Sequence, residues 1–448
     1  MRFLPSSFSV KAALLVLIFN LGPITPCTWA QGPSPEASNT APEQPAGASA
    51  QNPEIAEIQR KLDVLAAEVE KLRSGEPEVE ITPERAMNLG LGPSAASVYR
   101  KQKGVSLAGY GEMLYENFAS RNQSGTSVNR GAQMDFLRAV FFAGYRFSDK
   151  FVFNSEIELE HANEVWVEFA YVDYLAHSAF NLRGGLLLMP MGLTNEFHEP
   201  NVFLGAKRSE TESRLIPSTW RENGFGVLGT AGKLSYRAYL VSGLNAGGFA
   251  ADGLRGGRQR GSRARTTDPA FVGRADFTPF AGSLFGGSVY TGGSAQNQYQ
   301  VDGRTLDVQT TIGEIHGQVQ LRGLDLRGLY ARANLDDVAE LNQARRLTGL
   351  SSIGKTMQGG YAQIGYNVLS QIRENVALTP YYRFEKLNTQ DEVAAGFTSD
   401  PVRDGTFHTF GIEFRPINNV VVKTDYQWVR NPANVGVNQF NIGLGYSF

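Results

Sequence analysis

Charged side chains recur at even spacings along this chain, and the spacing limits what they can do. Arg138 and Arg146 stand an even number of residues apart, as do Asn154, Glu156, Glu158 and Glu160, and Arg274 with Asp276. Residues two apart on an extended strand share one face of a sheet. Arg237, Arg322, Arg327, Arg383 with Glu385, Glu413 with Arg415, and Lys423 with Asp425 continue the pattern. Rows of mixed sign can line a wet wall, where basic groups facing acidic ones order water and select ions. Other chemistry finds little support. His161, His177, His198, His316 and His408 lack metal-ligand spacing. His177 and Ser178 are adjacent, but strand neighbours point to opposite faces, so no nucleophile–base pair is expected. No metal and no cofactor are expected.

The elements that hold these rows must be strands. The chain has 448 residues, 42% hydrophobic, with a net charge of −2, 49 Gly, 27 Phe and 17 Tyr. Its mean hydropathy is −0.24. The balanced charge gives no case for nucleic acid. The one long apolar stretch, Ala12 to Leu21, is shorter than the ~20 residues of a spanning helix. A transmembrane barrel reconciles a polar average with a heavy aromatic load, because only alternate residues face lipid.

Organisation along the chain agrees with export and a barrel. Arg2 and Lys11 precede an apolar run, and Thr28-Trp29-Ala30 can serve as a cleavage site, so 1–30 reads as a signal peptide that takes Cys27 with it. Residues 31–52 read as a flexible linker. Ile55, Ile58, Leu62, Leu65, Val69 and Leu72 form an a/d seam, so 53–75 is expected to be a short periplasmic coiled-coil helix that self-associates. Residues 76–103, with Pro77, Pro83 and Pro93, read as a second linker.

From 104 to 448 the period is two. Phe440, Ile442, Leu444, Tyr446 and Phe448 alternate with Gln439, Asn441, Gly443, Gly445 and Ser447. Sixteen such runs are expected: 105–118, 131–147, 150–160, 164–176, 180–189, 221–231, 233–243, 270–278, 281–292, 304–322, 324–335, 356–367, 376–388, 405–415, 419–430 and 437–448. Short connections alternate with long ones, as in outer-membrane barrels. The fold class is therefore all-β, a sixteen-stranded antiparallel transmembrane barrel with both termini in the periplasm.

Three features carry a family resemblance. The C-terminal strand ends Gly445-Tyr446-Ser447-Phe448, similar to the signal that the barrel-assembly machinery recognises. Ser106-Leu107-Ala108-Gly109-Tyr110-Gly111-Glu112 opens the barrel, and Gly185 to Val227 includes Pro190-Met191-Gly192-Leu193 and Trp220 to Val227. Together they resemble the phosphate-selective porin family, O and P, over essentially all of 104–448. The resemblance implies a homotrimeric outer-membrane channel whose third outer loop, here 190–220, folds inward. It also implies paired arginines on the second strand. Here that place reads Phe136-Leu137-Arg138-Ala139, with one arginine.

The resulting expectation is a porin for passive diffusion of small hydrophilic solutes, weakly anion-preferring. Arg138, Lys207, Arg208, Arg237, Arg274, Glu156 and Glu158 would line the pore or its constriction. Arg255, Arg258, Arg260, Arg263 and Arg265 read as a solvated basic loop that meets lipopolysaccharide phosphates. The alternatives are a barrel enzyme and a structural or adhesion barrel with a blocked lumen.

Overall fold

The structure, a computed structural model, describes residues 82–448 apart from 374, together with Arg60 and Asp63. The seam residues 55–72, the expected signal peptide and the first linker lie outside the described residues.

Sixteen strands close into one antiparallel barrel. They are β1 Gly104–Phe118, β2 Gln133–Arg146, β3 Phe151–Glu160, β4 Glu164–His177, β5 Phe180–Leu188, β6 Arg221–Ala231, β7 Leu234–Ser242 and β8 Pro269–Phe277. The second half holds β9 Ser283–Gly293, β10 Gln309–Leu321, β11 Leu324–Leu335, β12 Thr356–Tyr366, β13 Ala377–Glu392, β14 Asp404–Ile417, β15 Val420–Arg430 and β16 Gln439–Ser447. Each strand pairs with its neighbours in sequence, and β16 closes on β1 in the register Tyr110↔Ser447 to Phe118↔Gln439. Phe448 extends that seam: it exchanges two backbone hydrogen bonds of 2.8 Å with Gly109. Its ring meets Phe141 edge-on on the outside.

Alternation decides the two faces. On β16, Asn441, Gly443, Gly445 and Ser447 turn in, while Ile442, Leu444 and Tyr446 are exposed on the outer wall. Leu107, Phe225, Phe271, Ile315, Ile364, Phe410 and Trp428 add to the same outer belt. A soluble monomer rarely shows a contiguous apolar patch above a few hundred Å². A belt around the whole barrel fits lipid. One barrel end carries mostly short turns, such as 178–179, 232–233, 322–323 and 418–419; the other carries long loops, among them 119–132, 189–220, 243–268 and 336–355.

The expected strands are therefore present, with three local corrections. The run expected at 304–322 is divided. Gln300–Val301 pairs with Arg304–Thr305 in a small hairpin turned by Asp302 and Gly303, both at positive φ, and the barrel strand starts only at Gln309. Arg322 does not face inward. It is the first residue of a two-residue turn with Gly323, at φ 50°, and it is exposed. Within the expected second linker, 76–103, the described residues 82–103 are not simply a linker. Thr82 caps a one-turn helix, α1 Pro83–Asn88, and Ala95–Arg100 forms a 3-10 turn that buries Ala95, Ala96, Val98 and Tyr99.

That segment is ordered because it finds partners on the inner wall. Asn154 donates to the Ala95 carbonyl at 2.8 Å, Tyr99 donates to Asp173 at 2.6 Å, and Arg183 donates to the Leu89 carbonyl at 3.0 Å. It fills part of the turn end of the barrel.

The outer face yields a direct test. Ile315 sits midway along β10 and is 67% exposed. Ile315→Arg should cost about 2–4 kcal/mol, the range for arginine at the bilayer midplane. The measurement is reversible unfolding in lipid vesicles, and a neutral effect would contradict the assigned face.

Candidate functional site

Two bulges set which charges reach the lumen. Between β1 and β2 the register shifts, so Phe136 and Leu137 together face a single residue of β1. Arg138 and Asp135 then lie on opposite sides of the irregularity. Between β3 and β4 the shift falls at Glu156/Ile157, and it turns both Glu168 and Phe169 inward. Strict alternation through 164–176 would have kept only one of these two inside.

The long loop 189–220 does not stand outside the barrel. Every residue from Leu188 to Pro200 is buried, and so is every residue from Leu215 to Trp220. The loop runs around the inner wall and is tied to it at successive points. Arg274 donates to the Gly192 carbonyl. Glu196 then meets two wall arginines, Arg237 Nε at 3.3 Å and Arg274 Nη1 at 3.8 Å. Both arginines also hold Asp276 Oδ2, at 2.7 and 2.8 Å. His316 completes this cluster, with one ring nitrogen 2.9 Å from Asp276 and the other 2.9 Å from Glu314.

Further along, His198 lies 3.0 Å from Glu156, and Glu199 accepts from the Ser94 N–H and hydroxyl of the N-terminal segment. Lys423 donates to the Phe203 carbonyl at 2.6 Å, and the Ala206 N–H donates to Asp425 at 2.7 Å. The loop's short helix, α2 Glu210–Arg214, points its first N–H groups at Glu385, with Thr211 at 2.6 Å and Glu210 at 3.0 Å. A carboxylate at a helix start is favourably placed. Glu212 then closes the loop on itself by accepting from the Leu193 and Thr194 N–H groups at 2.6 and 2.7 Å, while Tyr361 of β12 donates to its second oxygen.

The sequence-expected residues form two groups. Arg138 lies between Glu158 at 3.2 Å and Glu112 at 3.4 Å, close to Glu156, which binds Tyr110 and His198. Lys207 of the loop pairs with Glu116 at 2.7 Å, and Arg208 comes near the Arg138 group with no ion pair among the described residues, its Nη2 buried and without a hydrogen bond among them. Arg237 and Arg274 belong to the other group, around Asp276 and Glu196. Glu112, Glu116, Glu168, Asp173, Arg183, Glu196 and Glu314 were not among the expected site residues. Parity places Glu112 and Glu116 on the face of Tyr110, so those two were within reach of the sequence.

The basic outer loop is partly a clasp. Arg255 donates to the carbonyls of Ser213 and Ser218, and Arg258 to those of Pro217 and Thr219. Burial, aided by Arg255, pushes the Arg258 guanidinium down to about 9. The solvated-loop expectation is thus corrected in part: Arg258 is half-buried, and Arg255, though exposed, also donates to carbonyls at the loop's end. Arg260, Arg263 and Arg265 remain exposed, with Arg260 over the Trp166 ring. Of the possible enzyme pair, His177 accepts from the Ala179 N–H, not from Ser178. Among the described residues no group of three His, Cys, Asp or Glu side chains could hold a metal.

Glu196 is the loop carboxylate that meets two buried wall arginines at once. Breaking a buried pair costs about 3–5 kcal/mol when a charge is left alone. Arg237 and Arg274 keep Asp276, so Glu196→Gln should fall at or below the lower end of that range. The expected readout is faster amide exchange across 190–200 with strand protection unchanged; unchanged loop exchange would show that Glu196 does not hold it.

Comparison with known proteins supports the architecture. No protein-family model matches the chain. Outer-membrane protein OmpF of Salmonella typhi, solved in complex with daunomycin, has 12% identity and a TM-score of 0.50, covering 78% of this chain and 98% of its own. That likeness shows a porin-like barrel fold. An anion-selective porin from Comamonas acidovorans has 12% identity and a TM-score of 0.46, covering 77% and 100%. A protein of Aquifex aeolicus, described as uncharacterized, is 36% identical over 353 residues, 75% of this chain and 78% of the relative. At that identity and coverage, the chain belongs to the same family as the Aquifex protein.

Proposed function

We propose that the protein is an outer-membrane porin-type channel for passive diffusion of small hydrophilic solutes, narrowed by the loop 189–220 and weakly selective for anions. The observation that carries this reading is the loop itself. It is fastened by charged and backbone contacts from β3 and β7 across to β13 and β15, so it occupies the lumen that a bare sixteen-stranded wall would leave open.

Charge supports a weak preference. Arg138, Arg237 and Arg274 are each compensated by carboxylates, which mutes any field they produce. The hollows on either side lean basic. The one at the loop end, about 400 Å³, is lined by Arg130, Lys207 and Arg214 against Glu116 and Glu210. The cavity at the turn end is lined by Arg100, Arg327 and Arg415 and by no carboxylate. A tight phosphate site is not part of the proposal, because the second strand offers one arginine and that arginine is already paired. In this reading the turn end faces the periplasm, residues 53–75 help to hold a trimer there, and Phe448 marks the chain for barrel assembly.

A second reading, a barrel with a blocked lumen, draws on the unbroken burial of 188–200. Planar-bilayer recordings separate the two. The channel should open in small single-channel steps and show a modest chloride preference under a salt gradient. Arg138→Ala and Lys207→Ala should each move the reversal potential toward cations. Absence of any conductance favours the blocked barrel, and a cation preference unmoved by either substitution contradicts the assigned filter.

A further inference from the structure

The cavity at the turn end has a composition that passage of hydrated ions does not require. It measures about 270 Å³, below the roughly 300–1,000 Å³ of a drug-sized pocket. One side is apolar: Met87 and Leu91 come from the N-terminal segment, Leu193 and Phe197 from the loop, and Leu284 from β9. The other side presents Arg100, Arg327 and Arg415.

The arginines are oriented and still have capacity. Arg327 holds Asp325 through Nε and Nη2, both at 2.8 Å. Arg415 holds Glu413 through Nε at 2.7 Å and Nη2 at 2.5 Å. Each carboxylate lies two residues back on the same strand and fixes the guanidinium plane, and it leaves Nη1 without a hydrogen bond among the described residues. Arg100 has no ion pair among them. Guanidinium groups bind carboxylates through paired, directional hydrogen bonds. Arg100, Pro93 and Asn201 also line a wider hollow of about 680 Å³ beside the ends of β1 and β16, so a ligand can reach the cavity from the turn end.

We propose that this cavity binds small amphipathic organic anions, each with one carboxylate on a single ring or short chain. The carboxylate lies against Arg100 and the free edges of Arg327 and Arg415. The apolar body lies against Met87, Leu91 and Phe197 on the opposite side of the cavity. Two different walls thereby demand two properties of one ligand. The proposal names a solute class for the channel; it rests on the channel reading for transport, and binding stands apart from it.

The test is calorimetric titration of the full detergent-solubilised protein with benzoate, acetate and benzyl alcohol. Benzoate should bind at least tenfold more tightly than acetate, which lacks the body, and than benzyl alcohol, which lacks the charge. Arg100→Gln should weaken benzoate about tenfold. Val202→Asp, which sets a carboxylate in the cavity wall, should abolish binding. Faster gel migration before boiling checks that each variant is folded. Equal affinity for the three probes, or benzoate affinity unchanged in both folded variants, overturns the proposal. A barrel that binds benzoate but never conducts sinks the channel reading alone, and one that conducts without binding sinks this proposal alone.

Discussion

A charge carried into the interior of a barrel must be met there. Wall arginines such as Arg237 and Arg274 are shielded from solvent, and a cation in that setting is costly unless paired and hydrogen-bonded. The wall supplies one shared partner, Asp276, and the loop supplies the other, Glu196, together with the carbonyl of Gly192. The same logic repeats on the opposite wall, with the sign reversed at two points. There Asp425 and Glu385 are met by loop N–H groups, while Lys423 is met by a loop carbonyl. Loop placement and wall charge are thus one problem with one solution. The N-terminal segment joins it by capping Glu199 from Ser94.

This arrangement explains why the lumen is polar by sequence and yet densely filled. Alternation commits roughly every second strand residue to the interior, and the interior residues of a wide barrel cannot reach one another across it. A thirty-odd residue insertion made largely of backbone donors, acceptors and a few carboxylates can satisfy both walls at once. The clasp of Arg255 and Arg258 on carbonyls 213–219 secures the loop's exit in the same currency.

Legibility in the sequence followed the range of the interaction. Strand number and closure were readable because each strand carries its own two-residue period and each tight turn its own residues. Arg322 was misplaced by parity because the two-residue turn begins one residue earlier than the polar alternation suggests. Glu168 escaped because a bulge changes phase without any mark in local composition. The N-terminal stretch looked like a linker because its prolines and polar residues give no period, and its order comes from partners such as Asp173 and Arg183 that lie far along the chain. Arg237 and Arg274 were recognised as inward, but Glu196 could be assigned to them only in three dimensions. Arg255 and Arg258 likewise read as a solvated run until their carbonyl partners were visible.

The central claim is that the loop crosses the lumen to the far wall. At its far reach, Ala206 packs beside β16, and a Cβ built on Gly443 would stand 3.5 Å from the Ala206 Cβ. That separation lies within the about 3.5–4.5 Å of a disulfide. The double variant Ala206→Cys/Gly443→Cys, made with Cys27→Ser so that no other thiol is present, should therefore form a disulfide in folded barrels without any oxidant beyond air. The readout is a shift in migration on a non-reducing gel, confirmed by mass spectrometry of the linked peptides. Thiols that remain free and reactive in folded, heat-modifiable barrels would place the loop elsewhere and contradict the account.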